Sequence, residues 1–225
     1  MGKAIAGVLP EAVGVAISPI PIIAVVLMLA TPRGKSNGIA FLIGWIVGLS
    51  AVGTIVLLVA DPAGASSDAG PASWVGWLFL ALGILAVLAG ILQFRKRPKP
   101  GEVTALPSWM KAIDQFTAGR ASAIGLALAS VNPKNLMLTL AAAAAIASAG
   151  LAGGESFIAL GVFVLIGSLG LAIPIVIYLL GGAKAAATLE DMRQWLAIHN
   201  PAIMTVLFVI IGMKLLSNGL QALLT

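Results

Sequence analysis

The chain has 225 residues, of which 60% are hydrophobic and 9% charged, with a mean hydropathy of +1.09. Soluble domains run at about 25% charged and 45–50% apolar residues, so this composition points to an integral membrane protein. With no cysteine and one histidine, His199, disulfide frameworks, redox dithiols and thiolate or multi-histidine metal centres are excluded. No cofactor is implied, and without a GxxxxGK[ST] stretch ATP hydrolysis by this chain is not expected. The net charge of +5 is read as a report of membrane topology rather than of nucleic-acid binding.

A bilayer core of about 30 Å takes about 20 apolar residues in a helix, and the strict alternation of a barrel strand is missing. The pattern predicts six transmembrane helices, at about 4–30, 38–60, 73–94, 121–149, 156–182 and 201–223. Lys3 before an apolar run has the look of a secretion signal. However, Pro10 and Glu11 interrupt the run, which then continues far beyond a signal core, so it reads as the first span.

That span carries Ser18-Pro19-Ile20-Pro21 near its middle, and the fourth carries Asn132-Pro133-Lys134-Asn135. Proline removes a backbone donor and clashes with the carbonyl four residues back, so both helices are expected to break inside the bilayer. Between the first two spans, Thr31-Pro32-Arg33 and Lys35 turn the chain. Arg33 and Lys35 fall on one face with Arg95, Lys96, Arg97, Lys99, Lys111, Arg120, Lys184 and Arg193, whereas the other face has Lys3 alone with Asp61, Asp68 and Glu155. The positive-inside rule makes the basic face cytoplasmic and puts both termini outside.

A basic linker, 95–120, separates two halves, 1–94 and 121–225. Three helices per half force opposite orientations, the inverted-repeat plan of many transporters. Each second helix is glycine-rich, around Gly44 and Gly48 and again from Gly161. Within the linker, Leu106, Met110, Ile113 and Phe116 share a helical face, as expected of a short helix lying in the inner interface. Leu189, Met192, Trp195 and Leu196 do the same before the last span, with Thr188 and Asp191 resembling a capping box, Asn200 as cap and Pro201 at the first helical position. Trp45, Trp74 and Trp77 read as interfacial or packing aromatics, and His199 as exposed.

Two broken helices in opposite halves mark a candidate mid-membrane transport site; a kink that only shapes packing is the competing reading for Pro19 and Pro21. Lys134, between Asn132 and Asn135, would attract an anionic headgroup or carry a proton, unless it snorkels to an interface. Glu11 is the one carboxylate within the six apolar segments. It is the natural partner of Lys134, with a wetted outer position as the alternative. Lys214 is either an ion-coupling group or a snorkelling lysine. Substrate contacts are thus expected from Lys134, Asn132, Asn135, Ser18 and Glu11, and ion coupling from Glu11 or Lys214.

The stretch from Leu9 to Gly48 together with the later Ser130-Val131-Asn132-Pro133-Lys134-Asn135 resembles the glycopeptidolipid- and sulfolipid-addressing (GAP/Sap) family of mycobacteria and other actinobacteria, within the lysine-exporter (LysE) superfamily. That resemblance implies a six-helix inner-membrane protein concerned with moving envelope glycolipids outward, and membrane lipids or a lipid-export machinery as partners. The expectation is a secondary transporter or flippase-like exporter of an amphipathic, anionic lipid rather than an enzyme, with a homodimer permitted by the glycine-rich helices. Two alternatives stand beside it: an exporter of a small cationic or zwitterionic solute contacted by Glu11, and a non-transporting accessory docked through the basic linker.

Overall fold

A computed structural model describes residues 1–60, 73–95, 112–113, 115–151 and 154–224. They form eight α-helices: α1 (Gly2–Ala16), α2 (Pro19–Leu29), α3 (Gly34–Ala60), α4 (Ser73–Arg95), α5 (Ala118–Ser130), α6 (Pro133–Ala147), α7 (Glu155–Leu180) and α8 (Ala185–Leu224). No strand occurs among the described residues. Helices α3, α4, α7 and α8 are long and apolar enough to cross a bilayer, and α1 with α2 makes a fifth candidate bent by 51°. The chain is a multi-pass helical membrane protein. At 13 and 15 residues, α5 and α6 reach only about 20–22 Å each, and neither spans alone.

The predicted breaks fall where the prolines are. Pro19 and Pro133 become the first residues of α2 and α6, with Ser18 and Asn132 as the preceding caps. Single prolines elsewhere behave differently: Pro10, Pro174 and Pro201 all lie inside continuous helices. One missing N–H leaves the rest of a helical ladder intact, whereas Pro19 and Pro21 remove two donors within one turn.

The end of the chain corrects the expectation drawn from Asn200-Pro201. There is no cap there: α8 runs 40 residues without interruption, about 60 Å at 1.5 Å per residue. Thr188 does not cap either, since its hydroxyl donates to the Lys184 carbonyl one turn back (3.3 Å). About 20 residues cross the bilayer core, so the charged start of α8, with Glu190, Asp191 and Arg193, projects beyond it. On this projecting part His199 is exposed, and its ring stacks on Trp195 at 4.5 Å.

The helices pack through glycines. On α3 a side chain at Gly44 would collide with the Ser122 carbonyl of α5, and on α7 one at Gly170 would collide with the Ala16 carbonyl at the end of α1. In both places the glycine-rich helix lies against the backbone of a broken one. The α4 and α8 pair runs antiparallel, Gly83 facing Leu216 and Gly212 facing Val87. Trp45 is fully buried, a packing aromatic, while Trp77 is 64% exposed; the side chain of Trp74 is outside the described set. Near the basic end, Ile113 and Phe116 are buried and the Asn37 amide donates to the Phe116 carbonyl (3.0 Å). Leu106, Met110, Lys96, Arg97, Lys99 and Lys111, and the acidic Asp61 and Asp68, lie outside the described residues.

Candidate functional site

Proline at 19 leaves the Val15 carbonyl without its donor four residues on, and proline at 21 does the same to Ile17. Both carbonyls are answered by side chains. Ser18 Oγ donates to the Val15 carbonyl (2.6 Å), and Lys134 Nζ, from the far half of the chain, donates to the Ile17 carbonyl (3.2 Å). Lys134 Nζ also donates to Ser18 Oγ (2.6 Å). At the second break, the Asn132 side chain accepts from the Lys134 backbone N–H (3.0 Å), and Asn135 Nδ2 donates to the Leu128 carbonyl at the end of α5 (2.9 Å).

The two breaks, 117 positions apart, therefore meet in one polar node. Asn135 Oδ1 lies 3.1 Å from Ser18 Oγ. A hydroxyl has one proton to give, and the shorter bond to Val15 takes it. Ser18, Lys134 and Asn135 are 3%, 8% and 0% exposed. Since α2 and α6 both start at this node, the positive ends of two half-helix dipoles converge on it alongside the Lys134 ammonium. An anion is the charge such a place favours.

The expected partnership of Glu11 with Lys134 is overturned. Glu11 pairs with Lys214 of α8, at 2.9 and 2.7 Å to its two carboxylate oxygens, and Lys214 also donates to the Gly7 carbonyl. Seven residues separate Glu11 from Ser18, about 10 Å along α1, which takes its carboxylate out of reach of the node. Glu11, 1% exposed, is not a wetted surface group, while the Lys214 side chain is 26% exposed. Arg33 is exposed at the turn between α2 and α3, and Lys35 is exposed in the first turn of α3.

Toward the basic end, the node opens into a cavity of about 140 Å³. Its polar lining consists of Ser18, Asn132, Lys134 and Asn135 with Gln93 of α4 and Asn200 of α8; Met204 closes one side. The Asn200 side-chain oxygen is buried without a hydrogen-bond partner. An ammonium has three donors, and the third of Lys134 finds no protein acceptor among the described residues. The sequence reading missed Gln93 and Asn200. Their only local signal is an amide side chain near the end of an apolar run, and Asn200 beside Pro201 looks like a helix cap.

A bundle that crosses a bilayer several times and closes protein around ionisable groups at depth belongs to the class of membrane proteins with an internal polar site, since lipid tolerates neither free backbone nor free charge. The particular family follows from the sequence as a whole. The chain belongs to the Sap, sulfolipid-1-addressing protein, family, whose profile matches residues 8–221. No curated protein and no solved structure matches the chain.

Proposed function

We propose that the protein moves an amphipathic, anionic cell-envelope lipid across the inner membrane, with the polar node as headgroup site and without enzymatic chemistry. Membership of a lipid-addressing family supports the cargo class. The observation that carries the mechanism is the meeting of the two proline breaks, which sets an ammonium with an uncommitted donor in a cavity ringed by amide side chains. A volume of about 140 Å³ suits a sulfate- or phosphate-sized headgroup, the acyl chains remaining in lipid. Lys134 would hold the anion, and Asn132, Gln93 and Asn200 would hydrogen-bond its oxygens.

In this reading the broken pair α5 and α6 is a sixth span, and the two halves form inverted repeats as in the lysine-exporter superfamily. The reciprocal packing of α3 on α5 and of α7 on α1 supports that arrangement. With the basic end cytoplasmic, the cavity faces inward and both termini lie outside. Rocking of one half against the other would then alternate access to the site. A small cationic cargo is disfavoured, because the Glu11 carboxylate is already committed to Lys214.

Mass spectrometry of lipids retained in nanodiscs tests the proposal, comparing the unaltered chain with Lys134→Ala. Enrichment of an anionic or glycosylated lipid that the substitution removes is the expected result. Identical bulk lipids in both samples would sink the headgroup site and favour an accessory role.

A further inference from the structure

Two helices, α8 and α1, line up a polar stripe through the bundle. On α8, Asn200, Met204, Ile211, Lys214, Asn218 and Gln221 recur at helical spacing on one face, covering about 32 Å, the thickness of a bilayer core. Gly7, Glu11 and Gly14 share one face of α1, and Ser18 follows at the break beyond it. The basic end of the stripe is the headgroup cavity. Its other end is a second cleft of about 410 Å³, where Asn218 and Gln221 of α8 meet Ser148, just past the end of α6, and Phe79 of α4.

Two layers separate the cavities. Next to the node, Gly14 faces Leu138 of α6 and Ile211 of α8; a side chain added at Gly14 would stand 2.7 Å from Ile211 Cδ1 and 3.1 Å from Leu138 Cδ1. Beyond this apolar layer comes the Glu11–Lys214 pair, which joins the first half of the chain to the second. The pair caps no helix and satisfies neither break. Replacing a buried ion pair by apolar residues often costs nothing or stabilises, so such pairs are poor glue and are best attested as registers and switches.

We propose that Glu11 is the binding site of a coupling proton and that the Glu11–Lys214 pair is the outer gate of the path. This rests on the transport reading above. A proton from the outer cleft adds to the carboxylate as an O–H. The ion pair is lost, and Lys214, whose side chain is 26% exposed, carries its ammonium toward Asn218 one turn on. The helices packed against α1 are α6, α7 and α8. Their titratable or charged groups are Lys134 on α6, Glu155 and Tyr178 on α7, and Glu190, Asp191, Arg193, His199 and Lys214 on α8; α1 adds Lys3 and the amino terminus. Of these, Lys214 is the group bonded to Glu11 among the described residues.

The chain contains no cysteine, so Met204→Cys places a single thiol in the inner cavity. In proteoliposomes, an impermeant thiol reagent is applied to each face in turn, with Asn218→Cys correcting for thiol reactivity at each pH. Labelling of Cys at 204 from the outer face is expected to rise by up to about tenfold per unit as external pH falls, the limit for linkage to one proton. Glu11→Gln should fix it at the high level at every pH, and Lys214→Gln, which breaks the pair from the other side, should do the same. Should Glu11→Gln fail to fold, Lys214→Gln carries the test alone. Outer-face labelling that stays low in these variants and flat with pH overturns the gate while inner-face labelling preserves the transport reading. Labelling from neither face in any variant overturns both.

Discussion

At the first break, Pro19 and Pro21 strip the donors from two carbonyls, and the local sequence returns one hydroxyl, that of Ser18. At the second, Asn132 accepts from the new helix start, while Lys134 and Asn135 bring more side-chain donors than Pro133 removes, and the surplus crosses to the first break at Ile17. The first break is thus incomplete without the second half of the chain. The contrast with Pro10, Pro174 and Pro201, each inside an unbroken helix, indicates what a break requires: two donors lost within one turn, or a capping side chain such as Asn132 that holds the new helix start.

Removing the shared donor should break this dependence most severely. Lys134→Met leaves the Ile17 carbonyl buried and unpaired, a loss of about 1–3 kcal/mol, seen as a fall in Tm in detergent. Pro21→Ala restores the N–H that would reach Ile17, so the double variant should recover much of the loss, with a coupling of about 1 kcal/mol in the double-mutant cycle. The same double variant should not regain anionic lipid, which separates the backbone role of Lys134 from its headgroup role. Strict additivity would mean that Lys134 does not serve the first break.

Asn135→Ala acts mainly on the second break by releasing the Leu128 carbonyl, and also removes the amide oxygen beside Ser18 Oγ, with an expected cost of about 1–2 kcal/mol. Ser18→Ala comes next, at about 1 kcal/mol, and Pro19→Ala should offset it by restoring a donor to Val15. The smallest effect lies far from both breaks. On the projecting start of α8, hydrogen bonds from Arg193 and Gln194 lower the Glu190 carboxyl from 4.5 to about 2. A depressed carboxyl contributes stability that is present above pH 4.5 and lost as pH falls through about 2. With the Glu190 side chain about half exposed, screening keeps this contribution small. Glu190→Gln should leave Tm nearly unchanged at neutral pH and flatten what remains of the acid dependence.

The breaks were legible because proline chemistry is local: Ser18-Pro19-Ile20-Pro21 and Asn132-Pro133 announce lost donors within four residues. Spans such as α3 and α7 were legible because hydropathy is additive along a helix. The Glu11–Lys214 pair, 203 positions apart, was not, because nothing near either residue encodes which helix packs opposite. Glu11, the one carboxylate in the apolar segments, was paired with Lys134 on that ground, although about 10 Å along α1 separates it from Ser18 at the node. Asn200 was misjudged for a different reason, since a cap before proline and an amide inside a continuous helix share the same letters.

That continuous helix has a mechanical consequence. With Asn200 at the edge of the bilayer core, residues 185–199 of α8 form a stiff extension about 22 Å long. A tilt of about 10° in the embedded part swings its tip by about 4 Å. Any tilt of α8 that accompanied the proposed opening of the Glu11–Lys214 pair would therefore be carried to the Glu190–Arg193 end without an additional moving part.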